Sequence, residues 1–266
     1  MEGRAELARR VAELDDGPWY RRGEPTLLDD LSHVIEIVER ITSAGTASDF
    51  KALPRASAAE ADAIVSSSRV LARLEEALPE IVTGPLCRDT QYWMNGGTSG
   101  RYRARREALD QAHFVGALDA PEIELSTKPF FIGLFTCTGV LGTYGMWRLY
   151  LERYRGGAGP TDYERPWETW AVEPEPDARV LEIASATHWV DFVTAYPRWG
   201  GRMLFPDWRA VAQHHDAVHM TLRAIMATQG IFFPTDTGEV VPTFWDVEST
   251  FWLRWCFRSA QLVELS

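Results

Sequence analysis

The stretch Asp246-Val247-Glu248-Ser249-Thr250-Phe251-Trp252-Leu253-Arg254-Trp255 decides how the rest of the chain is read. Its β-branched and aromatic run predicts a strand. Alternation along it puts Phe251, Leu253 and Trp255 on one face and Trp252 and Arg254 on the other. A carboxylate pair, Asp246 and Glu248, stands at the mouth of that run. A carboxylate at the start of a buried strand is costly unless it faces a cleft, is paired or is functional. The upstream chain is therefore read as building a cleft for Glu248. An ion pair with Arg254 or Arg258 is the plain structural alternative.

Working outward, the texture of the chain changes near residue 85. Residues 1–84 read as helical. Leu7, Val11 and Leu14 recur at helical spacing, and a second helix starts after Pro25-Thr26, carries Leu28, Leu31, Ile35, Val38 and Ile41, and ends at Gly45. A third begins near Ser57, with Glu60 at the spacing of a capping box, and runs through Ile64, Val70, Leu71, Leu74 and Leu78. Residues 85–266 are aromatic, β-branched and punctuated by glycine. Strands are predicted near Leu86–Met94, over Phe130–Thr138, at Trp170–Glu173 and Arg179–Ile183, at Ala217–Leu222 and after Glu248. Helices are predicted over Arg103–Leu118, after Ser185 and over Asp207–His214, and Met146–Leu151 reads as a strand or an amphipathic helix. Helices inserted irregularly among strands give an α+β class rather than regular βαβ alternation.

A chain of 266 residues with 45% hydrophobic content can hold one large domain, or one domain with a helical extension. Its net charge of −11 argues against sequence-independent nucleic-acid binding, which needs a basic face. The three cysteines, Cys87, Cys137 and Cys256, are odd in number and widely spaced, which fits a reducing compartment better than a disulfide framework. With no apolar stretch of membrane length and no signal-peptide pattern, the expectation is a soluble, cytoplasmic protein. The eleven tryptophans suit core margins and ligand clefts, because each buries a large area yet keeps an N–H that wants a partner.

Several enzyme signatures fail. Gly97-Thr98-Ser99-Gly100-Arg101 lacks the last glycine of a nucleophile elbow, and Gly139, Gly142 and Gly145 do not have dinucleotide-fingerprint spacing. His215 and His219 have ligand spacing only on a helix, and their stretch passes from helix into strand, so no metal is expected. Three pieces survive. Gly96, Gly97 and Thr98, with Arg88, Arg101 and Arg103 nearby, suit a pyrophosphate through loop N–H groups and an arginine fork, although a plain solvent loop would read the same way. Thr136 and Thr138 close an aromatic strand with hydroxyls able to bond a ribose or hold a carboxylate. Glu248 is the third.

In this order the pieces resemble the bacterial ADP-ribosyltransferase-like domains. Lys128-Pro129-Phe130 through Thr136-Cys137-Thr138, followed by Gly145-Met146-Trp147, is similar to that family's aromatic strand ending in Ser-Thr-Ser. The Trp170–Glu173 and Ala178–Ile183 segments resemble its next strand pair, Asp207–Thr221 the strand after it, and the Glu248 strand its catalytic-glutamate strand. Asp246 stands where the family carries Glu or Gln, and only the hydroxyls of Thr136 and Thr138 match the second motif. The first-strand NAD-binding residue is Arg88 or lies within Asn95–Thr98.

The resemblance implies a split mixed β-sandwich of ADP-ribosyltransferase type with an N-terminal helical extension. It implies NAD as substrate, without a metal, and an acceptor that is a protein or a small molecule. Glu248 would stabilise the oxocarbenium-like centre at C1′ of the nicotinamide ribose, and Asp246 would orient or deprotonate the acceptor. Arg88, Gly96, Gly97 and Thr98 would hold the pyrophosphate, and Thr136 and Thr138 would position ribose and Glu248. Trp147 or Tyr92 would stack on nicotinamide. Water as the acceptor would make the protein an NAD glycohydrolase. A non-catalytic ligand- or partner-binding module on the same fold is the reading from another class.

Overall fold

In the computed structural model, residues 2–17, 25–47, 52–95, 127, 134–153 and 168–263 are described. Five helices open the chain: α1 (Glu2–Asp15), α2 (Leu27–Ala47), α3 (Ala58–Val65), α4 (Arg69–Ala77) and α5 (Pro79–Val82). The capping box at the start of α3 forms as expected, with the Ser57 hydroxyl accepting from Glu60 N and the Glu60 carboxylate accepting from Ser57 N. The single helix expected from Ser57 to Leu78 is instead two, with the short α5 following them. Ser66-Ser67-Ser68 competes with the helical ladder, and the Ser68 hydroxyl caps α4 by accepting from Leu71 N. Asp15 then takes the Ser68 hydroxyl and the Arg69 and Val70 amides, tying the new helix start to the end of α1. Pro79 opens α5, where its missing N–H does no harm. On α2 the buried stripe is Leu31, Val34, Ile35, Ile37 and Val38, while Leu28 is exposed and the helix passes Gly45.

The remaining elements are β1 (Gln91–Asn95), β2 (Leu134–Thr138), α6 (Met146–Arg153), β3 (Glu168–Pro174), β4 (Val180–Ile183), α7 (Ala186–Ala195), β5 (Pro197–Gly200), β6 (Met203–Pro206), α8 (Trp208–His214), β7 (Ala217–Met220), α9 (Leu222–Thr228), β8 (Phe233–Pro234), β9 (Glu239–Val240), β10 (Ser249–Trp252) and β11 (Phe257–Leu262). Met146–Leu151 is thus helical. The strand expected to reach Leu222 stops at Met220, because the Thr221 hydroxyl accepts from Ala224 N and starts α9. The helix expected over Arg103–Leu118 lies outside the described residues. No helix among the described residues is long and apolar enough to cross a membrane.

Seven strands form one sheet in the order β11-β3-β1-β2-β10-β7-β4, antiparallel except for the β4–β7 pair. A smaller sheet orders as β5-β6-β9-β8. The two strands expected around the Pro174-Glu175-Pro176-Asp177 turn both form, yet they stand near opposite ends of the large sheet. The sheet curls to bring them together. One apolar cluster unites Trp170 and Val172 of β3, Phe257 of β11, Leu134 of β2, Trp252 of β10 and Ala217 of β7, which makes their shared face the concave one. At the seam Glu175 N donates to Cys256 O, and Arg88 donates to Glu175 O and Ala178 O. A cavity of about 360 Å³ opens there, lined by Glu175, Asp177, Arg179, Asp216, Trp255 and Phe257 among others.

Alternate residues of the same strands face the other way. Phe251, Val218, Met220, Cys137 and Ile183 join a larger core with Trp189 and Trp208 from α7 and α8 and with Leu7, Leu14, Leu31, Val70 and Leu74 from the N-terminal helices. Residues 1–84 therefore share a core with the sheet rather than building one of their own. Phe251 stacks on Phe135 at 4.8 Å between ring centroids and meets the edge of Trp208 at 5.1 Å. The expected facing of Phe251 against Trp252 is observed, but β10 ends at Trp252, so Leu253 and Trp255 lie beyond the strand.

Candidate functional site

The polar residues of the concave face collect at one end of the curl, and strand register explains why. Thr250 on β10 pairs with Thr136 on β2 and with His219 on β7, and His219 pairs in turn with Glu182 on β4. Gln91 on β1 pairs with Thr138 on β2. Side chains at paired positions share a face. Five strands thus place Gln91, Thr136, Thr138, Thr250, His219 and Glu182 on one surface. Glu248, just before β10, completes it.

Glu248 has no exposed surface, and its carboxylate accepts three hydrogen bonds. Thr138 N donates to Oε2 at 3.0 Å, while the Thr138 hydroxyl (2.8 Å) and His219 Nε2 (3.0 Å) reach Oε1. A one-way chain of donors leads in from the other side. Trp252 Nε1 donates to Thr136 Oγ1 (2.9 Å), Thr136 Oγ1 to Gln91 Oε1 (2.6 Å) and Gln91 Nε2 to Thr138 Oγ1 (2.9 Å), which leaves the Thr138 proton for Glu248. The second Gln91 N–H is spent on Cys87 O. Aligned donors polarise one another, and the chain ends where the negative charge is.

His219, fully buried, lies between two carboxylates: Nδ1 is 2.5 Å from Glu182 Oε2 and Nε2 is 3.0 Å from Glu248 Oε1. Both ring nitrogens face acceptors, so the imidazole makes both bonds only when doubly protonated. Burial alone would lower its pKa, but the hydrogen bonds and charges of Glu182 and Glu248 overcome it and lift the value to about 9. Burial likewise works against the Glu182 carboxylate, yet the bond to His219, the Leu86 amide at 3.0 Å and the Arg88 charge hold its pKa below the usual value. The Glu182 side chain is about 30% exposed, so this is the solvent end of the array. The charge of Arg88 adds a second cation at the Glu182 end of the array. Two buried polar atoms on this face, Thr250 Oγ1 and Trp170 Nε1, have no hydrogen-bond partner among the described residues.

The structure brings together Thr136, Thr138 and Glu248. Asp246, expected to orient or deprotonate the acceptor, is buried on the approach to β10, while the partners of Glu248 are Thr138 and His219. The pairing of Glu248 with Arg254 or Arg258 is not formed: Arg254 bonds Asp216 and Arg258 bonds Glu173. Arg88, expected at the pyrophosphate, donates through two of its guanidinium nitrogens to the backbone of the β3–β4 turn. The residue of the first strand that enters the cluster is Gln91. Trp147 stacks on Tyr150 of its own helix and packs against the larger, convex core. Cys137 also faces that core. Gly96, Gly97 and Thr98 lie outside the described residues.

Sequence reasoning missed His219, Glu182 and Gln91. The first two carry a local signal: each is the polar residue at an inward position of a short apolar strand, Ala217-Val218-His219-Met220 and Val180-Leu181-Glu182-Ile183. Among the described residues, no group of three or more His, Cys, Asp or Glu side chains is arranged to hold a metal ion. Comparison with protein-family models, with curated proteins and with solved structures gave no match for this chain.

Proposed function

We propose that the polar end of the concave face binds NAD and transfers its ADP-ribose to an acceptor, a protein side chain or a small molecule. The observation that carries this reading is the seating of Glu248 on the amide and hydroxyl of Thr138, with Thr136 linked to Thr138 through Gln91. These are the residues, far apart in sequence, that the family resemblance nominates for one site. The electrostatics agree with the chemistry. As nicotinamide leaves, positive charge develops at C1′ of the ribose, and an oriented carboxylate in a water-poor setting stabilises it better than solvent would.

Titration calorimetry with NAD, run beside a nicotinamide-release assay on wild type and Glu248→Gln, tests this reading. Binding with release that is lost in the variant is the expected result. Steady release without an added acceptor would identify water as the acceptor. Absence of both binding and release in the wild type would refute NAD as the substrate.

The burial of Glu248 and His219 favours a second reading, in which the cluster is an internal scaffold of a non-catalytic binding module. On that reading Glu248→Gln lowers stability and alters no turnover.

A further inference from the structure

We propose that Glu182 and His219 are positioning residues for Glu248: the imidazolium of His219 fixes the Glu248 carboxylate in one orientation, and the partly exposed Glu182 anchors that imidazolium from the solvent side. The role in turnover rests on the NAD reading; the clamp itself does not. Its geometry is complete. The carboxylate of β4 meets Nδ1, the carboxylate before β10 meets Nε2, and the ring has no exposed surface. Glu182 is itself pinned, since Leu86 N donates to its Oε1 and its Oε2 is the atom on His219. Gly84, at φ +81°, passes so close that a Cβ there would stand 3.1 Å from the same Oε2.

The arrangement specifies what His219 does. Glu182 and Glu248 are the titratable groups facing the ring, and the charge of Arg88 acts on Glu182 from the seam. With both nitrogens protonated, the ring has no lone pair with which to accept a proton from the reacting centre. It is therefore a fixed cation rather than a proton shuttle. Its bond to Oε1 and the Thr138 amide on Oε2 together leave the carboxylate one rotational setting. Loss of charge at Glu182 would let the imidazolium lose a proton at lower pH, and Glu248 would keep its two Thr138 bonds but lose the neighbouring cation and, in one of the two tautomers, the Nε2 bond.

The test combines imidazole ¹⁵N and ¹H NMR of the full chain across pH with the pH profile of nicotinamide release, for wild type, Glu182→Gln and His219→Gln. Glu182→Gln is the decisive variant, because its side chain reaches solvent and its shape is kept. In wild type His219 should carry both protons at neutral pH and titrate near 9, and in Glu182→Gln the midpoint should fall by about one unit or more. The alkaline limb of release should move with it, and kcat should drop roughly tenfold with little change in KM, the scale typical of lost outer-shell support. A singly protonated His219 at neutral pH, or a midpoint indifferent to Glu182→Gln, overturns the clamp. A Glu182→Gln protein that loses only thermal stability, with kcat and pH profile unmoved, overturns the positioning role. If wild type releases no nicotinamide, the NAD reading falls, and the imidazole titration alone decides the clamp.

Discussion

The two faces of the curled sheet draw on the same strands and are built on opposite terms. On the convex face Phe135, Phe251, Val218 and Ile183 meet helices and aromatic rings, and any residue of similar volume and apolarity would serve. One position along each strand, the concave face carries Thr136, Thr250, His219 and Glu182, whose value depends on which atom meets which. Dispersion and area burial are non-directional and tolerate adjustment. A buried array of hydrogen bonds and charges does not, because every unpaired member carries its full desolvation penalty. A sheet with this contrast holds its fold on one side and its specificity on the other.

The comparison can be broken at its extremes. His219→Ala leaves two carboxylates facing each other without the cation, and should cost about 3–5 kcal/mol at neutral pH. Phe251→Ala, on the other face, should cost a similar 3–5 kcal/mol by cavity formation. Denaturant unfolding across pH separates them: the penalty of Phe251→Ala should be flat between pH 6 and 9, whereas that of His219→Ala should shrink as pH rises.

The pH ramp of the wild type follows from the same array. The folded-state pKa of His219 lies above its unfolded value, so its contribution is fully present below about 6.5 and is lost as pH rises through about 9. Over that window the native state holds a proton that the unfolded chain has released, and stability should decline by on the order of 3 kcal/mol. A flat stability curve from pH 6 to 9 would contradict the buried imidazolium. Glu182 acts in the opposite sense, its contribution being present above the ordinary carboxylate range and lost as pH falls through its lowered folded value.

Smaller effects sharpen the contrast. Gln91→Leu removes the link between the two threonines and strands Cys87 O, Thr136 and Thr138, at a cost of about 1–3 kcal/mol by thermal unfolding. Thr250→Val should do the reverse. The Thr250 hydroxyl is buried and has no partner among the described residues, so its removal should raise stability by about 1 kcal/mol, and a fall would mean that the hydroxyl is hydrogen-bonded.

These features were unequally legible in the sequence. Helix starts at Ser57 and Ser185 were readable because capping is local, a matter of residues three apart. The strand after Glu248 and the threonines of β2 were readable from β-propensity and alternation. The partnership of Glu182 with His219 was not, because it depends on β4 lying parallel to β7 with α7, β5, β6 and α8 between them in the chain. Arg88 illustrates the converse difficulty. An arginine beside a glycine-rich loop suits a phosphate, and only the curl of the sheet shows that the β3–β4 turn occupies it. The serine run at 66–68 likewise divides what periodicity alone reads as one helix.

The seam has a consequence for how the molecule behaves in company. Open sheets end in strands whose outer N–H and C=O groups can recruit a second chain. Here the two terminal strands, β4 and β11, are drawn toward each other. The segment from Gly84 to Arg88 lies against β4 and gives its own amide and guanidinium hydrogen bonds to Glu182 and Ala178. β4 is only four residues long, and the turn before it is further held by the Glu175–Cys256 bond. With β4 this short and its preceding turn held at the seam, little open strand is left at that edge for a second chain to pair with.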